Sequence, residues 1–138
     1  MSAKINDLQD ENIELKVETI INPSEDPDKV KKCVMNVANG CRPVISDGHL
    51  HGVCVGILSL HHIRVGVRSK SSLGVLRKLL ERNRNGNSTW FYLNKQAAYG
   101  GVISLVDRHE ESPMGPIRVT LTSNSLDRVI DWLLSKKE

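Results

Sequence analysis

The chain has 138 residues, 39% of them apolar and 25% charged, the composition of one soluble globular domain with a single modest core. No apolar run approaches the roughly 20 residues of a membrane span, and the N-terminus has neither a basic nor an apolar leader segment, so a cytoplasmic location is expected. The net charge of +3 conceals a separation of sign, since residues 1–28 carry two lysines against eight acidic side chains, whereas residues 60–84 carry seven basic side chains against Glu81 alone.

Residues 1–12 are polar and acidic without a period and predict a mobile tail ahead of one domain over 13–138. Glu14 to Asn22 alternates, with Leu15, Val17, Thr19 and Ile21 on one face and Glu14, Lys16 and Glu18 on the other, which predicts a half-buried strand. Asp26 is placed to cap a helix whose first residue is Pro27, with Val30, Cys33, Val34 and Val37 as its buried stripe and Asn39-Gly40 as its stop. Pro43 to Ser46 and Leu50 to Gly56 read as two short strands around Asp47-Gly48. Cys33, Cys41 and Cys54 form no CxxC pair and leave an odd thiol under any pairing, so they read as small core residues in a reducing compartment.

Ser59 to Ser69 carries two periods at once: IRVGVR alternates like a strand, while Leu60, Ile63 and Val67 recur like a helix face. Either assignment puts Arg64 and Arg68 on one side, because a separation of four is even in a strand and about one turn in a helix. Ser72 is placed to cap a helix over Leu73 to Asn83, with Leu73, Leu76, Leu79 and Leu80 inward and Arg77, Lys78 and Arg82 outward. Ser88 to Asn94 and Val102 to Asp107 read as the strands of a hairpin, joined by Lys95 to Gly101, a connection longer than a turn requires and one that suggests a loop shaped to approach something. Pro116 to Ser123 is a strand with one wet side, and Asn124 or Ser125 caps a last helix through Leu126, Val129, Ile130 and Leu133. The order β-α-β-β-α-α-β-β-β-α predicts an α+β domain, with a mixed or antiparallel sheet and its helices on one face.

Chemistry-bearing clusters are sparse. His49, His51, Cys54, His61 and His62 fall within fourteen residues, but their spacing matches no recurrent metal-ligand pattern, and no metal or other cofactor is expected. His109 with Asp107, Glu110 and Glu111 reads as a solvated loop rather than an acid-base site. No GxxxxGK[ST], strand-linked GxGxxG or GxSxG occurs. Trp90, Phe91 and Tyr92 would make a base-stacking platform, yet consecutive strand residues alternate faces, so core packing is the expected role for most of them.

Taken in order, NPSEDPDKV, SDG, NSTWFYLNKQAA, SLVDRHEESPMGPI and VIDWL resemble an archaeal uncharacterised protein family, number 0201 of its series, over about residues 13–134. The most specific part is FYLNKQAA followed by VxxxxESPxGPI. The resemblance implies the fold of ribosomal protein five of the large subunit, a helix over Ser59 to Ser69, and RNA binding by analogy of fold. Gly66, Val65 and Val67 are poor helix formers, so irregularity is expected there. The resulting expectation is a non-catalytic, homodimeric RNA-binding protein. Arg64, Arg68, Lys70, Arg77, Lys78, Arg82 and Arg84 would neutralise phosphates, and Lys95 and Gln96 would add contacts from the hairpin loop. The competing expectations are a protein-interaction module in a ribonucleoprotein assembly and a small enzyme around Glu111, Ser112 and Lys95.

Overall fold

The computed structural model describes residues 12–69 and 72–135; all but the last residue of the expected tail, and Lys70, lie outside the described residues. Strand β1 (Ile13–Ile20) follows its alternation, burying Ile13, Leu15, Val17 and Thr19. Helix α1 (Pro27–Val37) starts where Asp26 accepts a hydrogen bond from the Asp28 amide at 3.0 Å and Pro27 presets the backbone, and it buries Val30, Cys33, Val34 and Val37. Strands β2 (Val44–Ser46) and β3 (His49–Val55) form a hairpin around Asp47-Gly48.

A single 3₁₀ turn over Ile57–Leu60 leads into α2 (His61–Ser69), so the helical period decides the ambiguous stretch. The reason is tertiary. Ile63 and Val67 reach the core, and Gly66 lets the helix approach Ile103 so closely that an added Cβ would come within 2.5 Å of the Ile103 Cβ. Helix α3 (Leu73–Arg82) buries Leu76, Leu79 and Leu80, although Ser72 makes no side-chain cap bond.

The connection after β4 (Ser88–Leu93) is not an open loop. It is a fourth helix, α4 (Lys95–Tyr99), capped by the Asn94 side chain, which accepts from the Ala97 amide at 2.8 Å. Asn36 on α1 donates to the Ala98 and Tyr99 carbonyls at 3.0 Å, docking α4 against α1, and Gly101 at φ 79° turns the chain out. The second hairpin strand shrinks to β5 (Leu105–Val106), followed by a 3₁₀ turn at His109–Glu111. Strand β6 (Ile117–Ser123) and helix α5 (Leu126–Leu134) complete the chain. At the start of α5 the Ser123 hydroxyl, rather than Asn124 or Ser125, accepts from the Ser125 amide at 3.0 Å.

The strands form one sheet in the order β2-β3-β1-β6-β4-β5, with every neighbouring pair antiparallel. Leu15, Val17, Phe91, Leu93, Val119 and Leu121 point from its covered face into a core closed by the helices, each such burial contributing about 1.5–3 kcal/mol. Cys41 and Cys54 are not independent core residues. A disulfide joins them with their Cα atoms 4.9 Å apart, tying the chain before β2 to β3. Cys33 stays a free thiol, and its burial pushes its pKa up.

Candidate nucleic-acid interface

Of the nine residues assigned to RNA from sequence, the eight that are described do not share one surface. Lys95 is 2% exposed, and its ammonium donates to the Ile20 and Met114 carbonyls at 2.8 Å and to Glu25 Oε1 at 3.1 Å. Arg64 is 6% exposed, with Nε donating to the Trp132 carbonyl at 3.0 Å and the guanidinium 4.9 Å from the Trp132 ring centroid. Both cations therefore act inside the protein. Arg68 is half-buried at the end of α2, while Arg77 and Lys78 on α3 and Gln96 on α4 are exposed. Arg82 pairs with Asp107 at 2.8 Å, and Arg84 pairs with Asp127. Exposed pairs of this kind contribute about 0–1 kcal/mol, little enough for a phosphate to compete with them.

Of the three residues of the enzyme reading, Ser112 is buried, and Glu111 and Lys95 are engaged by other groups. Glu111 turns back on its own 3₁₀ turn, accepting from the Arg108 amide at 2.7 Å, while Lys95 is held by Glu25 and two carbonyls. Among the described residues no three His, Cys, Asp or Glu side chains group as metal ligands.

The other face of the sheet is open, and it gathers what the sequence scattered. In β4, alternation sends Phe91 into the core and leaves Trp90 and Tyr92 half-buried on the open side. Register then sets Tyr92 opposite Arg118, Arg118 opposite Glu18, and Glu18 opposite His51, with Trp90, Thr120, Lys16 and Val53 in the next row. The Arg118 guanidinium lies 4.4 Å from the Trp90 ring centroid. Trp90 and Tyr92 have centroids 5.0 Å apart, and the His109 ring meets Tyr92 edge-on at 5.9 Å. The result is a continuous strip of one cation and three rings, bordered by a groove of about 420 Å³ that Lys16, Glu18, His49, His51, Tyr92 and Arg118 help to line.

Arg118 stands out within that strip. It forms no salt bridge among the described residues, and its Nε is buried without a hydrogen-bond partner. That Nε is closed off from solvent and therefore from a ligand, so an anion in the groove would meet the terminal guanidinium nitrogens, which no carboxylate among the described residues engages. The expectation of core packing for most of the three consecutive aromatics is corrected here: only Phe91 enters the core, because alternation puts Trp90 and Tyr92 on the opposite, open side. That Arg118 lies between them and Glu18 follows from the β1-β6-β4 strand order, for which no local signal exists.

A family model described as RNA binding matches residues 14–123. The chain is 35% identical over 130 residues to a UPF0201 protein of Sulfurisphaera tokodaii, covering 87% of this chain and 86% of that one. It is 37% identical over 116 residues to a UPF0201 protein of Metallosphaera sedula, covering 82% and 81%. Among solved structures, a UPF0201 protein from Methanococcus jannaschii superposes with a TM-score of 0.74 at 28% identity, covering 90% of this chain and 95% of that one. A second, described as an uncharacterized UPF0201 protein, gives 0.71 at 33% identity, covering 81% and 84%. With its family model, its relatives and its fold in agreement, the chain belongs to the UPF0201 family.

Proposed function

We propose that this protein binds RNA through the open face of its sheet and catalyses no reaction on it. The observation that carries the reading is the Arg118-Trp90-Tyr92 strip, with a guanidinium and two aromatic rings side by side on an uncovered antiparallel sheet. Aromatic side chains on a sheet stack unpaired bases, while Arg and Lys contact phosphates. The RNA-binding family model spans the same strands and supports the reading. The exposed cations of α3, Arg77 and Lys78, lie outside the strip; their role is to draw the polyanion in through the long-range field. The test is ultraviolet cross-linking of bound RNA followed by peptide mapping. Cross-links in Ser88–Leu93 and Ile117–Ser123 are expected, and cross-links confined to Leu73–Arg82 would overturn the assignment.

A homodimeric interaction module is the second reading. Val53 and Val55 favour it, being 51% and 75% exposed on the open face of β3 beside the edge strand β2. Sedimentation equilibrium distinguishes the two: a concentration-independent dimer that Val55→Lys dissociates supports the module, and a monomer at all concentrations rejects it.

A further inference from the structure

The RNA reading does not say which form of RNA the sheet face accepts, and the groove around Arg118 bears on that. His51, Glu18, Arg118 and Tyr92 are consecutive cross-strand neighbours in one row. Three strand spacings separate the first from the last, about 14 Å in all. The groove volume of about 420 Å³ lies within the range of about 300–1,000 Å³ typical of small-ligand sites, so it suits one nucleotide and not the body of a duplex.

The chemistry along the row is graded. At one end Tyr92 and His109 offer aromatic surface. Beside them Arg118, which lines the groove and pairs with no carboxylate among the described residues, offers its terminal guanidinium nitrogens to an anion, and Lys16 lies diagonally across on β1. Glu18 faces Arg118 directly without pairing to it, and a carboxylate repels a second phosphate while accepting from a hydroxyl or an amino group. Resting on the RNA reading above, we propose that this groove holds one unpaired nucleotide of single-stranded RNA. Its phosphate sits on Arg118, its base against Tyr92 and His109, and its ribose hydroxyl or an exocyclic amine donates to Glu18. A base paired within a duplex exposes no face for Tyr92 to stack on, so the groove selects against double-stranded RNA.

The test is fluorescence anisotropy with the full chain, using a dye-labelled single-stranded RNA octamer and the same sequence as a blunt RNA duplex. The octamer is expected to bind at least about tenfold more tightly than the duplex. Arg118→Ala and Tyr92→Ala are each expected to weaken octamer binding by about tenfold, the size of one lost stack or one lost charged contact. Tyr92→Phe keeps the ring and is expected to bind like the parent. Thermal unfolding verifies that each variant is folded, and Arg118→Lys, which keeps the charge, provides a second reading of the same position. A nucleoside 5′-monophosphate that displaces the octamer supports the groove as the shared site. Equal affinity for octamer and duplex, or parental binding by both alanine variants, overturns the groove while RNA binding stands. Failure of both RNAs to bind overturns the RNA reading as well. A monophosphate that binds in isothermal titration calorimetry when the octamer does not bind overturns RNA as the source of the nucleotide.

Discussion

Lys95 Nζ lies 3.1 Å from Glu25 Oε1 with both side chains out of solvent, 3% and 12% exposed, and the same ammonium donates to the Ile20 and Met114 carbonyls. All three of its donors are thereby used, and α4 is clasped to the end of β1 and to the segment entering β6. Breaking such a buried pair by removing one partner costs about 3–5 kcal/mol. Lys95→Ala is therefore expected to lower the unfolding free energy by about that amount in urea denaturation and to leave RNA affinity unchanged once folded. Gln96→Ala, at an exposed position, is expected to change stability by less than about 0.5 kcal/mol. The sequence-based assignment of both residues to RNA leads to the reverse outcome.

Glu25 gives the clasp a pH dependence. Burial alone would raise its carboxyl pKa, but hydrogen bonds from the Asn22 amide and side chain, together with Lys95, outweigh burial and hold it below the ordinary 4.5. A carboxylate depressed in the folded state adds stability that is present above its unfolded pKa and is lost as the pH falls through the folded one. Thermal unfolding of the parent should thus weaken more steeply below about pH 4.5 than that of Glu25→Gln. Parallel melting-temperature curves for the two across that range would remove Glu25 from the clasp.

Elements with one dominant period were legible from sequence. The two-residue repeat of Leu15 and Val17 and the helical repeat of Val30, Cys33, Val34 and Val37 each agree with their burial, because both patterns are local. Helix α4 was not legible, since its five residues are fixed by the Asn94 cap and by Asn36 from another helix. The fate of Lys95 was hidden for the same reason: an identical side chain in an identical local context points to solvent unless Glu25 and two distant carbonyls are there to receive it. At the candidate site, alternation separates Phe91 from Trp90 and Tyr92 but does not say which side meets the core, and the meeting of Trp90 and Tyr92 with Arg118 depends on strand order.

Gly66 looked like a weakness in a helix and proves to be a requirement of packing. Its replacement by Ala would gain helix propensity of about 0.5–1 kcal/mol but drive a methyl group into the Ile103 Cβ. Overpacking a filled core costs about 1–3 kcal/mol, so Gly66→Ala is expected to lower the melting temperature. A companion Ile103→Ala change, which opens that space, should make Gly66→Ala less costly in a double-mutant cycle.

The Cys41-Cys54 disulfide closes a loop with a sequence separation of 13. Loop-closure entropy for a ring of that size is worth about 3 kcal/mol. Treatment with a strong reductant, or Cys41→Ser with Cys54→Ser, is expected to destabilise the fold by up to that amount while the far-ultraviolet circular dichroism spectrum keeps its shape. Identical melting temperatures for oxidised and reduced protein would show that the bridge makes no net contribution.

The most direct test of RNA binding by the sheet face is the salt dependence of the association constant for single-stranded RNA. Two phosphate contacts, the groove phosphate on Arg118 and the adjoining phosphate of the strand on the exposed Lys16, away from Glu18, correspond to a slope of log K against log salt of roughly −1.4, from about −0.7 per contact. Binding at low salt with that slope, reduced by about 0.7 in Arg118→Ala, is the predicted result. No detectable binding at low salt, or a slope near −3 as expected for about four contacts and unaltered in Arg118→Ala, would contradict the account.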